Sequence, residues 1–259
     1  MSSTKIASLL LCVLCVKPNN LRNTINNKFQ TKIAYFCDNL NLVLNNILKL
    51  IQKEIQLEWR QKTALGTIFI YVLGTSFLIY LIFQGNITIP TWIALFWIIA
   101  LFTTVNAVSK SFIKDANEQF YYLRSVATPL EIIFSKIIYN ALLITVLSLV
   151  IYAVMILFFN QNIADKGLFL ITIILGSIGF SNLFTLLSAI TARTQNFVLL
   201  AILGFPIILP LLLLIVNMSG LSDFAIQEKD IYLNLGAIGL LDVITLILSV
   251  VLFPYIWRD

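Results

Sequence analysis

The chain of 259 residues contains no histidine. That removes the commonest general base, the commonest metal ligand and the usual haem ligand together. Charge is scarce as well: 11% of residues are charged, against roughly a quarter in soluble domains. Cysteine is sparse. Cys12 and Cys15 spell C-x-x-C, but Val16 stands where haem attachment requires His, and Cys37 is alone. All three read as incidental residues of an unusual N-terminus. No G-x-x-x-x-G-K-[ST], H-E-x-x-H or Ser/His/Asp set occurs. No catalytic, cofactor-binding or metal-ligating group is therefore assigned, and any work the protein does must draw its energy from a partner or an ion gradient.

What the chain has instead is apolar length: 59% hydrophobic residues and a mean hydropathy of +0.95. They fall in six blocks, near Ala64–Phe83, Thr91–Val108, Ile137–Phe159, Gly167–Thr191, Phe197–Met218 and Leu233–Trp257. Each approaches the roughly 20 residues that a helix needs to cross hydrocarbon. A spanning helix satisfies its own backbone hydrogen bonds, and the blocks lack the weak alternation of barrel strands. An all-α integral membrane protein with six transmembrane helices is expected.

The net charge of +5 implies no nucleic acid, because the cations sort by loop. Fifteen Lys and Arg fall on one side of the six spans, and only Lys166 and Lys229 on the other. The positive-inside rule then places both termini in the cytoplasm. Discounting the first 41 residues leaves ten against two, with the same answer.

Those first 41 residues are unlike the rest. Ile6–Val16 is too short to span, and Asn19–Asn46 is rich in Asn and Lys. Residues 1–41 are expected to be a disordered extension, and 42–259 the membrane domain. From Leu42 to Lys62 the pattern becomes helical: Leu44, Ile47, Leu48, Ile51, Ile55 and Trp59 share one face, and Lys49, Gln52, Lys53, Gln56 and Arg60 the other. Glu58 lies within the apolar arc. Such a basic amphipathic helix suits the membrane interface, with its cations on lipid phosphates, and Glu58, Trp59 and Arg60 lead from it into the first span.

Three features inside or between the spans stand out. The Ser109–Lys136 loop sets Phe120, Tyr121, Tyr122 and Leu123 between Glu118 and Arg124, with Thr128-Pro129 breaking any helix. Aromatics there read either as a docking knob or as side chains resting at the lipid interface. Asp242 lies within the last span, where an ionised carboxylate is costly. It reads as a substrate or proton site, or, as favoured here, a structural carboxylate bonded to Asn140, Ser181, Asn182 or Thr185. Pro206 and Pro210 sit in the fifth block, where the pair implies either a broken span that flexes or turns back, or a fixed kink.

An interfacial helix, six spans, an inner loop after the second span and no ATPase motif together resemble the permease subunits of type-2 ABC exporters. Within that group the chain is similar to the CcmB family, the haem exporter B proteins of cytochrome c maturation. The resemblance runs from about Leu48 to Asp259. It rests on Lys53-Glu54 and Leu57-Glu58-Trp59-Arg60, Ser111-Phe112, Glu118 through Leu123, Ser135-Lys136-Ile137, Pro206 with Pro210, Leu241-Asp242, and the ending Phe253-Pro254-Tyr255 to Arg258-Asp259. Two departures accompany it: residues 1–41 have no counterpart, and Gln119 to Tyr122 replace a glycine-containing, more acidic turn. The resemblance implies a bacterial inner-membrane complex. In it the ATP-binding subunit CcmA receives the inner loop, with two copies each of permease and ATPase. CcmC handles haem, CcmD is a small helical subunit, and ATP hydrolysis releases the haem-loaded chaperone CcmE. The permease itself then holds no cofactor. Competing readings are a type-2 exporter of lipid, polysaccharide or drug, a membrane scaffold that binds no ATPase, and an intramembrane enzyme with Asp242 as its one candidate group.

Overall fold

A computed structural model describes residues 43–58, 62–108, 128–159, 165–194, 197–221 and 228–258. The expected extension, 1–41, lies outside them. The chain divides into two compact units after Leu50. In the first, residues 43–50 are helical; in the second, residues 51–58, called α1, are helical. Of the range expected to be helical, 42–62, the described residues 43–58 and 62 are helix. Within α1, however, the predicted apolar face is split: Ile51 is buried and Ile55 exposed. Trp59 and Arg60 lie outside the described residues.

Six long helices follow: α2 (Lys62–Phe83), α3 (Ile89–Val108), α4 (Pro129–Phe159), α5 (Lys166–Thr194), α6 (Phe197–Leu221) and α7 (Glu228–Arg258). All six are long and apolar enough to cross a membrane, and the described residues contain no strand. The protein is an all-helical, multi-pass membrane protein, as its apolar blocks require.

Local chemistry sets the helix ends. Between α2 and α3, Gln84 and Gly85 adopt left-handed backbone, with φ of 51° and 79°. The Asn86 N–H donates to the Phe83 carbonyl, closing the turn. A glycine tolerates such a φ without a Cβ clash. At the start of α5, Asp165 Oδ1 accepts from the Leu168 N–H at 3.0 Å, capping the helix.

The third span begins eight residues before the apolar block at Ile137 that predicted it. Thr128-Pro129, expected to break a helix, starts this one. Thr128 and Glu131 form a capping box: the Thr128 N–H donates to Glu131 Oε2 at 2.8 Å, and the Glu131 N–H to Thr128 Oγ1 at 3.4 Å. Pro129 occupies the first helical position, where its missing N–H costs nothing. The part of the predicted inner loop from Pro129 to Lys136 is therefore helix, and residues 109–127 remain between α3 and α4.

The fifth span also differs from one expectation. Helix α6 runs unbroken through Pro206 and Pro210, so the chain does not turn back there. The reason lies in which face the prolines occupy. Gly204, Ile208, Leu211 and Ile215 face the protein and are buried, whereas both prolines are exposed on the opposite side. The lost donors thus fall outside the packed interface.

Helix α5 is the hub. It packs against α3, α4, α6 and α7, whereas α2 reaches only α3 and α4 among the more extensive contacts. A chain of aromatic contacts fills the bundle toward the Gln84 turn, where Trp92 stacks on Phe96 with ring centroids 5.9 Å apart and both rings meet Phe169.

Candidate functional site: a buried ion pair and a polar seam

The first two turns of α4 carry two ionisable residues, Glu131 and Lys136, and both are buried. Lys136 retains only 1% of its surface. An unpaired ammonium at that depth would cost several kcal/mol, so a lysine there requires an anion. Glu54 of α1 supplies it: Lys136 Nζ donates to Glu54 Oε1 at 3.3 Å. Lys53 Nζ lies 3.8 Å from the same oxygen. One turn further along α4, Tyr139 is buried with its hydroxyl unpartnered, within the electrostatic reach of Glu58 and Glu54. Residues 51–58 are thereby tied to the first turns, or root, of α4.

A seam of small polar side chains runs from that root along α5. Ser181, Thr185 and Ser188 recur at helical spacing and face α4 and α3. Ser181 Oγ donates to the Ile137 carbonyl at 2.8 Å, and Asn140 Nδ2 to Thr185 Oγ1 at 2.8 Å. Ser188 Oγ donates to the Val108 carbonyl at 3.2 Å. On a neighbouring face of α5, Asn182 Nδ2 donates to the backbone carbonyl of Asp242 at 3.2 Å, and Ser249 Oγ to the Asn182 carbonyl at 3.3 Å. Trp97 Nε1 bonds Ser219 Oγ at 2.8 Å and joins α3 to α6. Bonds of this kind hold spanning helices together where the hydrophobic effect contributes little.

Glycines let the helices close to this distance. A Cβ on Gly176 would meet the Trp97 ring at 2.8 Å, and one on Gly204 would meet Phe184 at 2.8 Å. A Cβ on Gly179 would collide with Asp242 Oδ1 and with Leu211.

The structure thus brings together some of the residues singled out in the sequence and separates others. Asn140, Asn182 and Asp242 are all buried in the bundle. The expected bonds to the Asp242 carboxylate differ: Asn140 serves Thr185, Ser181 serves Ile137, and Asn182 binds the backbone of Asp242, while Asp242 Oδ1 has no partner. Glu58 is half-buried at the α4 root. Glu118, Phe120, Tyr121, Tyr122, Leu123 and Arg124 lie outside the described residues. Sequence reasoning missed the Lys136–Glu54 pair, because no local pattern joins residues so far apart. It also missed the Thr128–Glu131 box, whose Thr-x-x-Glu signature was present in the chain.

Among the described residues no cluster of His, Cys, Asp and Glu is fit to hold a metal ion. The arrangement is one of helix-to-helix fastening. No curated protein and no solved structure matches the chain. A family model described as CcmB protein matches residues 45–256. That match covers most of the chain, including the α1–α4 ion pair, the α5 seam and Asp242, so the chain belongs to the CcmB family, the permease components of ABC-type haem exporter complexes.

Proposed function

We propose that the protein is the membrane permease subunit of an ATP-driven cytochrome c maturation complex, and that it converts ATP hydrolysis on a separate subunit into release of a haem-loaded chaperone. The supporting observation is the root of α4. There the pair of buried Lys136 with half-buried Glu54 and the Thr128–Glu131 box fix the first turns of the helix that follows residues 109–127 in the chain. A rigid helix start of this kind is suited to pass a push from a bound ATPase into the bundle. The partners in this reading are the ATP-binding subunit CcmA, the membrane subunits CcmC and CcmD, and the chaperone CcmE. Two permease copies serve each complex, in the bacterial inner membrane, with both termini cytoplasmic. ATP belongs to the partner and haem to the other subunits, and this chain holds no cofactor of its own.

In this reading the contact with the ATPase is carried by Phe120, Tyr121, Tyr122 and Leu123, flanked by Glu118 and Arg124. Four consecutive bulky residues exposed to water are unfavourable, at about 25 cal/mol per Å² of apolar surface, and aromatic side chains are frequent interface anchors. The flanking charges set orientation more than affinity. Replacing Tyr121 and Leu123 together with Ala should reduce recovery of the ATPase in a pull-down at matched membrane levels, with the permease still inserted. Equal recovery would place these side chains on lipid and remove the coupling role from them.

A further inference from the structure

We propose that the crossing of α5 and α7 is a proton-binding site, in which the Asp242 carboxyl is held neutral by a bound proton beside Asn182 and Gly179. The case rests on donors and acceptors. Asp242 keeps 7% of its surface and Asn182 none, and the side-chain Oδ1 of each is buried without a hydrogen-bond partner. Both belong to one crossing. Asp242 Oδ1 lies against Gly179, one turn from Asn182 on α5, and Asn182 Nδ2 reaches the Asp242 backbone at 3.2 Å.

The amide cannot be turned to relieve this. Exchanging Oδ1 and Nδ2 of Asn182 would set its oxygen against the Asp242 carbonyl and break the bond now made there. Two buried acceptors of this crossing therefore meet no donor among the described residues. Nor, among the described residues, does a cation answer Asp242 Oδ1. The described titratable side chains on the helices packed against α7 are Glu131, Lys136, Tyr139 and Tyr152 on α4 and Lys166 on α5. Lys136 is committed to Glu54, and none of the five bonds Asp242 Oδ1. A proton supplies the missing donor and removes the charge in one step, with no change of packing. Gly179 is part of the site, since any side chain there would displace the carboxyl. Opening the crossing to water would release the proton, so its occupancy reports on the α5–α7 contact.

Infrared spectroscopy of the full chain, in membranes and labelled with carbon-13 aspartate, reads the protonation directly. At neutral pH water-exposed aspartates are ionised. The expected result is one isotope-shifted carbonyl band of a protonated acid that persists at neutral pH, disappears in Asp242→Asn, and moves without disappearing in Asn182→Leu. If Asp242→Asn fails to insert, the wild-type band together with its Asn182→Leu shift still identifies the group. A neutral-pH spectrum with only carboxylate bands would overturn the proposal, and would leave an ionised Asp242 served by water or a metal cation.

Discussion

Helices α2 and α5 are equally apolar along their spans, yet 17% of the first span and 72% of the second are buried inside the protein. What separates them is the placement of polar and small residues. Helix α5 sets Ser181, Asn182, Thr185 and Ser188 where each meets a group on another helix. It also sets Gly176 and Gly179 where a neighbour's side chain fills the missing Cβ. Helix α2 presents Ile70, Leu78 and Ile82 outward, and its Gly66 and Gly74 face open space. Hydropathy therefore decides that a helix crosses the membrane, and the polar stripe decides whether it sits at the centre or at the rim.

The largest effect should come where burial and charge coincide. Glu54→Ala removes the carboxylate that Lys136 Nζ meets at 3.3 Å, and taking one partner from a buried ion pair costs about 3–5 kcal/mol in comparable cases. Unfolding in mixed micelles should show that loss. Pairing Glu54→Leu with Lys136→Met should restore most of it, because an apolar pair needs no desolvation of charge. If the double substitution is as unstable as the single one, the pair has a role beyond its own neutralisation.

Next in size is a steric test of the hub. Gly176→Ala places a methyl 2.8 Å from the Trp97 ring and 3.1 Å from Ile215. Overpacking of this kind costs about 1–3 kcal/mol, read as a lower midpoint of thermal unfolding in detergent. An unchanged midpoint would mean that Trp97 can move aside despite its bond to Ser219.

A smaller loss is expected from Asn140→Leu, which removes the bond to Thr185 and strands its hydroxyl. Interhelical bonds in membranes are worth about 0.6–2 kcal/mol. The double substitution with Thr185→Val should cost little more than the single one, since the two side chains serve each other. Additive losses would show that they are not one unit.

How much of this was legible beforehand follows from the range over which each force acts. The hydrocarbon thickness imposes its length on every span, so the apolar blocks located all six helices, and Phe83, Val108 and Phe159 were each placed as helix ends. The start of α4 was missed because the reading stopped where apolarity stopped, while the capping box at Thr128 and Glu131 signalled a start in polar residues. Asn140, Asn182 and Asp242 were recognisable as unusual, since polar groups are rare at that depth. Their partners were not, because pairing across helices depends on register and crossing angle, which no local pattern carries. The Pro206 and Pro210 pair showed the reverse case. The residues were conspicuous, but the face they occupy, and hence the continuity of α6, is set by the packing of Gly204, Ile208 and Leu211.

The smallest effect expected is also the sharpest control on the comparison. Gly74 of α2 has no atom within 4 Å of the position its Cβ would take. An alanine there meets nothing, and removing a glycine from a helix interior gains roughly 0.5–1 kcal/mol of backbone entropy. Gly74→Ala should therefore leave the isolated permease unchanged or slightly more stable, in the same unfolding assay that registers a loss for Gly176→Ala. The two substitutions add the same methyl to equally apolar helices, so any difference between them measures packing alone. The control has a second use. If Gly74→Ala leaves the isolated chain stable and yet lowers recovery of the assembled complex, the open face of α2 is closed by a neighbouring subunit, with Gly74 at the contact. If both stability and assembly are untouched, that face is left to lipid, and the rim of the bundle is as plain as its sequence.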